Sequence, residues 1–305
     1  MKHIQATICI TPACMNSDQA TLTTAKELYT TIYQAIIPTI KHPREAQAII
    51  QRILEHYFQY DQVSRVLDKP LTITQAKEQL LEEVTQRIRK HEPIQYILGE
   101  APFLGRDFKV SPAVLIPRPE TEELVYHIIQ ENAQPGLAIL DIGTGSGCIA
   151  ITLQKALPAA QVEALDISLP ALDIAQSNAQ RWQADIHLIQ ADILRDPLPT
   201  KHWDIIVSNP PYVRLSEQKW MQRRILDYEP RQALFVTDDD PLAFYERIIA
   251  LALAHLKQRG KIYLEINEAF GKATAHLLAE ASFEAIRVRQ DLQGKDRWVV
   301  AVAPC

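Results

Sequence analysis

Ala138-Ile139-Leu140-Asp141-Ile142-Gly143-Thr144-Gly145-Ser146-Gly147-Cys148-Ile149-Ala150 is the stretch whose reading decides the fold. An apolar run passes into a glycine-rich turn and then into a second apolar run of helical character, which is a strand, a tight loop and a helix in succession. Glycines let the backbone approach a ligand closely and leave N–H groups exposed at the start of the helix. The spacing is G-x-G-x-G, which differs from the G-x-G-x-x-G of dinucleotide-binding folds. Gly143, Thr144, Gly145, Ser146 and Gly147 are therefore the candidate cradle for a ligand.

Apolar runs recur downstream at the spacing of strand-helix-strand units. Val162-Glu163-Ala164-Leu165-Asp166 is a second strand. It ends in an acid about 25 residues after Asp141, where a carboxylate typically accepts hydrogen bonds from ribose hydroxyls. Ile186-His187-Leu188-Ile189 is a third, followed by Asp192 and Ile193, a carboxylate and an apolar side chain that could flank an adenine. The fourth, Trp203-Asp204-Ile205-Ile206-Val207, reads as a buried parallel strand and runs into Ser208-Asn209-Pro210-Pro211-Tyr212. Pro210 has no N–H to donate and biases Asn209 toward extended backbone, so the turn is stiff. The Asn209 side-chain carbonyl and the Pro210 backbone carbonyl can accept both hydrogens of a substrate –NH2, while Tyr212 offers a flat face for a planar amide or base.

Each of these features has a plainer reading as turn punctuation. Four of them in order, each just past the carboxyl end of a strand, form the layout of a doubly wound α/β sheet with a nucleoside site and a reaction centre beside it. Further on, Arg214 to Gln232 is polar and irregular and reads as a lid, with Glu229-Pro230-Arg231 inside it. Pro241 to Leu256 reads as an amphipathic helix and Gly260 to Ile266 as a fifth strand. Phe283–Arg289 and Arg297–Ala303, joined by Asp291-Leu292-Gln293-Gly294-Lys295-Asp296, give the sheet an antiparallel end. The expectation is a mostly parallel, seven-stranded sheet within residues 119–305.

Residues 15–90 are helical in pattern. Ala46, Ile49, Ile50, Ile53, Leu54 and Tyr57 share one face, as do Ala76, Leu80, Leu81, Val84 and Ile88, with breaks at Lys41-His42-Pro43 and Asp68-Lys69-Pro70. This predicts a small bundle suited to recognising a partner. Within 91–118, two β-prone runs, Pro93–Leu98 and the one ending at Val110, flank Gly99 and Gly105 and suggest a hairpin linker. After it, Ile116-Pro117-Arg118-Pro119-Glu120-Thr121-Glu122-Glu123 opens a helix with acids in its first turn, where the helix dipole favours them. Arg118 among those acids reads as a surface ion pair of little worth. Residues 1–14 lack helical periodicity and Met15 is a plausible alternative start, so they are expected to be dispensable.

The 305 residues carry a formal charge of −5, which is not the basic footprint of a nucleic-acid-binding protein. The four cysteines, Cys9, Cys14, Cys148 and Cys305, show neither zinc-ligand spacing nor a disulfide framework, so a reduced, cytoplasmic setting is expected and no metal. No apolar run reaches the roughly 20 residues of a membrane span.

Five strings together resemble the HemK/PrmC family, the bacterial peptide chain release factor glutamine methyltransferases. They are Pro93-Ile94-Gln95-Tyr96 with Gly99-Glu100, Ile116 to Glu122, Asp141 to Gly147, Ser208 to Tyr212, and Glu229-Pro230-Arg231. The resemblance runs from about Thr21 to Val302 and implies a Rossmann-like methyltransferase sheet. It further implies S-adenosylmethionine as methyl donor and, as acceptor, the side-chain amide nitrogen of the glutamine in the Gly-Gly-Gln loop of release factors. Carried over, Gly143 to Gly147 hold the methionine end of the cofactor, Asp166 its ribose, and Asp192 and Ile193 its adenine. Asn209, Pro210, Pro211 and Tyr212 hold the acceptor amide, and Asn209 also borders the cofactor. Asn267 and Phe270 depart from the family pattern and leave the role of their loop open. A monomer acting on a protein, with neither membrane nor direct nucleic-acid contact, is expected.

A methyltransferase acting on an exocyclic –NH2 of a DNA or RNA base would use the same turn. The acidic balance, the absence of a target-recognition domain and the Ile116–Glu122 string oppose it. A nicotinamide-dependent dehydrogenase fails on glycine spacing. A non-catalytic module that keeps its cofactor pocket is separated only by turnover.

Overall fold

The structure, a computed structural model, describes residues 21–67 and 69–305. The expectation for residues 1–14, the alternative start at Met15, Cys9 and Cys14, and the break residue Asp68 lie outside the described residues. The described residues form two compact units that divide between His91 and Glu92.

In the first unit, helices span Ala25–Ile40, Pro43–Phe58, Gln62–Val66 and Gln75–Arg89. A capping box starts the first of them. Thr24 Oγ1 accepts the Glu27 N–H at 3.1 Å, and the Glu27 carboxylate accepts the Thr24 N–H at the same distance. Lys41 takes a left-handed backbone (φ 62°) and Pro43 opens the next helix, so the break falls at Lys41-His42-Pro43. Ala46, Ile49, Ile50, Ile53 and Leu54 are buried along the second helix. On the last, Leu81, Val84 and Ile88 are buried, while Ala76, expected on the same face, is exposed.

The second unit opens with a short helix, Ile94–Leu98, where β-prone side chains suggested an extended run. Tertiary contact outweighs propensity here. Tyr96, Ile97 and Leu98 are consecutive and all buried, and the Tyr96 hydroxyl donates to the Val114 carbonyl at 2.6 Å. Gly99, at φ 74°, ends the turn. The hairpin Glu100–Phe103 with Arg106–Lys109 follows, Glu100 facing Lys109 and Phe103 facing Arg106. It is fastened by Asn178, fully buried, whose side chain bonds both the N–H and the carbonyl of Lys109 and donates to the Ser146 carbonyl at 2.8 Å.

The sheet strands are β1 (Ala138–Ile142), β2 (Gln161–Asp166), β3 (Ile186–Gln190), β4 (Trp203–Ser208), β5 (Leu256–Glu265), β6 (Glu284–Gln290) and β7 (Asp296–Val302). Their spatial order is β6-β7-β5-β4-β1-β2-β3, with β7 antiparallel to both β5 and β6 and the remaining neighbours parallel. Helices α1 (Pro119–Glu131), α2 (Cys148–Ala156), α3 (Leu169–Trp182), α4 (Ala243–His255) and α5 (Gly271–Glu280) accompany it.

Period-two alternation divides the core between the two faces of the sheet. Leu140, Ile142, Leu165, Ile206 and Leu264 cluster with Tyr245, Ile248 and Ala252 of α4. Ile139, Val162, Ala164, Ile205 and Val207 cluster with Leu124 and Ile128 of α1 and Ile149 and Leu153 of α2. Every residue of β1 is buried. Between Arg214 and Gln232 the chain forms a 3-10 turn, Leu215–Trp220, and a short helix, Arg223–Tyr228, more ordered than its polar sequence suggested. Among the described residues no helix is long and apolar enough to cross a membrane.

Candidate active site

A cavity of about 310 Å³ opens at the carboxyl ends of β1, β2, β3 and β4, within the size range of small-molecule sites. Gly143, Thr144, Gly145, Ser146, Asp166, Asp192, Ile193, Asn209, Pro210 and Pro211 all line it. Gly147 and Tyr212 lie outside its lining.

The glycine loop is folded onto the end of β2. The N–H groups of Gly143 and Thr144 both donate to the Leu165 carbonyl, at 2.8 and 2.9 Å. Gly143, Gly145 and Gly147 all have positive φ, a backbone that β-carbon-bearing residues rarely adopt. A β-carbon at Gly145 would meet nothing within 4 Å, so this position looks onto open space. One at Gly147 would lie 3.0 Å from Ile151 Cδ1 and 3.2 Å from Ala175 Cβ. Gly147 therefore serves close packing of α2 on α3 rather than contact with a ligand.

Asp166 receives the N–H of Gly145 on one oxygen and that of Ser168 on the other, each at 2.9 Å. Burial raises its pKa above the ordinary value, against the pull of those N–H groups. Asp192 caps its own turn through the Leu194 N–H, 3.0 Å, beside Ile193, which is buried in the core. Asp141 is fully buried beneath the loop. Its Oδ2 accepts from Thr144 Oγ1 at 2.7 Å, while its Oδ1 has no hydrogen-bond partner. Burial pushes this carboxyl up to about 7. Open space at Gly145, a strand-end acid and a helix N-terminus together suit a nucleoside bearing a polar tail.

The Pro-Pro turn sits on the next strand of the sheet. Ile142 is paired with Ser208 in register, and the Ser208 hydroxyl donates to the Ile142 carbonyl at 2.8 Å. A β-carbon built on Gly143 would come 3.9 Å from the Asn209 carbonyl. Asn209 Nδ2 donates to Thr121 Oγ1 at 3.2 Å, and Thr121 Oγ1 donates to Glu265 Oε2 at 2.6 Å. Tyr212 directs its hydroxyl to the other oxygen, Glu265 Oε1, at 3.1 Å. Glu265 is 1% exposed, and burial raises its carboxyl to about 7 despite the hydrogen bonds from Thr121 and Tyr212.

Sequence reasoning passed over Thr121, Glu265 and the partner of Arg118. Arg118 pairs with Glu229 at 2.7 Å, the carboxylate side chain only 1% exposed, and Glu229 also accepts the Ile116 N–H at 3.3 Å. This joins the Ile116–Glu122 string to the Glu229-Pro230-Arg231 string, in place of the surface pair expected. Arg118 is the one cation among the described residues lining the cavity. For Glu265 a signal existed: an acid that closes the apolar run Ile262-Tyr263-Leu264 at the carboxyl end of β5, as at Asp166. Asn267, whose loop departs from the family pattern, donates to the Tyr212 carbonyl and to Glu217, so it braces the turn against the Arg214–Gln232 segment.

Residues 120–232 match the family model described as "Methyltransferase small domain", and residues 41–99 match "PrmC N-terminal domain". The chain is 44% identical over 275 residues to the release factor glutamine methyltransferase of Flavobacterium psychrophilum, covering 89% of this chain and 96% of that protein. It is 44% identical over 260 residues to that of Bacteroides thetaiotaomicron, covering 85% and 93%. Among solved structures, a methyltransferase from Pyrococcus furiosus superposes with a TM-score of 0.50 at 17% identity, covering 66% of this chain and 91% of that one, a likeness of fold.

Proposed function

The chain belongs to the release factor glutamine methyltransferase family, and from that premise we propose that it moves a methyl group from S-adenosylmethionine to a release-factor glutamine. The acceptor is the side-chain amide nitrogen in the Gly-Gly-Gln loop. The observation that carries the reading is the in-register pairing of Ile142 with Ser208. It sets the glycine loop and the amide-holding turn side by side at one cavity, so that donor and acceptor can meet in line.

When bound, S-adenosylmethionine supplies a methyl group already activated by its positively charged sulfur. The residues that would hold it are Gly143 to Ser146 at the methionine end, Asp166 at the ribose, and Asp192 with Ile193 at the adenine. Gly147 contributes by shaping the start of α2. An amide nitrogen is a poor nucleophile because its lone pair is conjugated with the carbonyl. Asn209 Oδ1 and the Pro210 carbonyl accept its two N–H groups, which raises electron density on nitrogen and fixes its direction. So held, the nitrogen would direct its lone pair at the methyl group that the bound cofactor would supply, and the methylated nitrogen would give one proton to water. Tyr212 holds the turn through Glu265 and closes its outer side.

The helical first unit carries none of these groups, and its role is recognition of the release factor. The enzyme acts as a monomer in the cytoplasm, where translation supplies its substrate. Incubation with a release factor and S-adenosylmethionine, followed by peptide mass spectrometry, tests the reading. One added methyl on the glutamine of the Gly-Gly-Gln peptide is expected. Labelled methyl appearing in nucleic acid offered alongside, and none in the release factor, would overturn it.

A further inference from the structure

Asn209 poses a problem that its backbone does not solve. A carboxamide has nearly the same shape when rotated by half a turn about its last bond, but the rotation exchanges an acceptor for a donor. The stiffness conferred by Pro210 fixes the main chain and leaves that rotation free. To hold the two hydrogens of an acceptor amide, Asn209 must present Oδ1. With the amide turned over, its own NH2 would face the substrate NH2, donor against donor.

The direction is set from behind the turn. Above the value of about 7 to which burial raises its carboxyl, Glu265 is ionised and can only accept hydrogen bonds. Its Oε2 takes the hydroxyl hydrogen of Thr121 at 2.6 Å, so that hydrogen is committed. Thr121 Oγ1 is then left with lone pairs alone on its other side. It must meet a donor, and the donor is Asn209 Nδ2 at 3.2 Å. Oδ1 is left free of partners among the described residues, on a side chain that lines the cavity. Glu265 is itself held at three points, by the Tyr212 hydroxyl on Oε1, by Thr121 on Oε2, and by the Tyr245 hydroxyl on its backbone carbonyl at 3.1 Å.

Burying a carboxylate among two hydroxyl donors, with no cation in hydrogen-bond contact among the described residues, costs stability that an apolar residue would not. What the carboxylate provides in exchange is polarity of direction along the chain. We infer that Thr121 and Glu265 are positioning residues that orient the Asn209 amide, through a one-way chain of hydrogen bonds from Asn209 to Thr121 to Glu265. The inference rests on the reading of Asn209 as the residue that holds the acceptor amide. It also gives the Ile116–Glu122 string a task at the reacting centre, since Thr121 belongs to that string.

The test compares Thr121→Val, Thr121→Ser and Glu265→Gln with the wild type in methylation of a release factor at about pH 8, where Glu265 is ionised. Cofactor affinity is measured by calorimetry and folding by thermal melting. Thr121→Val keeps the shape and removes the hydroxyl, and kcat is expected to fall about tenfold or more with S-adenosylmethionine affinity changed by less than about twofold. Thr121→Ser restores the hydroxyl and should recover to within a fewfold of wild type. Glu265→Gln can donate to Thr121 as well as accept, so the amide loses its enforced direction and kcat should fall with the melt still cooperative. If Thr121→Val does not fold, Thr121→Ser and Glu265→Gln carry the comparison.

Wild-type kcat in Thr121→Val or in Glu265→Gln, or equal losses in Thr121→Val and Thr121→Ser, would overturn the inference. Failure of the wild type to methylate any release factor sinks the proposed function instead. The positioning claim is then read without substrate, from the Asn209 side-chain amide signals in ¹⁵N NMR. These should move in Thr121→Val and stay close to wild type in Thr121→Ser; unmoved signals in Thr121→Val overturn it.

Discussion

The backbone N–H of Gly145 donates to Asp166 Oδ2 at 2.9 Å, so the acid at the end of β2 holds the glycine loop that follows β1. Asp166 is thus a scaffold for the loop as well as a candidate ribose acceptor. Asp166→Ala removes both roles and is expected to weaken S-adenosylmethionine binding by about 1–3 kcal/mol. Asp166→Glu should lose less. Titration calorimetry decides, and unchanged affinity in the Ala variant would take Asp166 out of the site.

Asn209→Ala should remove most turnover while the protein stays folded, with cofactor affinity changed far less. Asn209→Asp keeps two acceptor oxygens but loses the donor to Thr121 and adds a negative charge near Glu265. Reduced but measurable activity is expected for it, read by single-turnover methylation. Wild-type rates for Asn209→Ala would sink the mechanism.

Tyr212→Phe looks neutral if the ring acts only as a flat surface. The structure changes that expectation, because the hydroxyl is the donor to Glu265 Oε1. Losing that hydrogen bond to a buried carboxyl group is expected to cost about 1–3 kcal/mol of folding stability, read by urea denaturation. Unaltered stability would show that the hydroxyl is dispensable.

Gly147→Ala and Gly145→Ala should separate folding from binding. At Gly147 the left-handed backbone and the contacts with Ile151 and Ala175 combine, so a loss of roughly 1–3 kcal/mol in stability is expected. At Gly145 only the backbone is strained and the added methyl enters open space, so cofactor affinity should suffer more than the melting temperature. Melting curves and calorimetry on both variants check this.

The Asp141 carboxyl, held at about 7 by burial, binds its proton more tightly in the folded state than in the unfolded one. Its contribution to stability is full below its ordinary value of 3.8 and is lost as pH rises through about 7. Asp141→Asn cannot ionise. Its melting temperature should therefore decline less than that of wild type between about pH 5 and pH 8, leaving the slope due to Glu265, which burial shifts the same way. Parallel melting profiles would show that Asp141 does not titrate in this range.

The sheet was legible in the sequence because its signals are local. Apolar runs ending in Gly143, Asp166, Asp192 and Asn209 each announce a strand end without knowledge of any neighbour. Partnerships between distant segments were not legible. Thr121 meets Glu265 across 144 positions and Arg118 meets Glu229 across 111, and no local rule pairs them. The helix at Ile94–Leu98 was misread for the same reason, since its conformation is decided by what Tyr96 reaches at Val114.

The pairing of Ile142 with Ser208 has a bearing on how such enzymes diversify. Neighbouring strands lie about 4.8 Å apart in any sheet, and here that spacing, clamped by the Ser208 hydroxyl on Ile142, sets how far the glycine loop stands from the Pro-Pro turn. The loops above are free of that duty. A descendant of this chain could rebuild the segment from Arg214 to Gln232 and inherit that spacing unchanged.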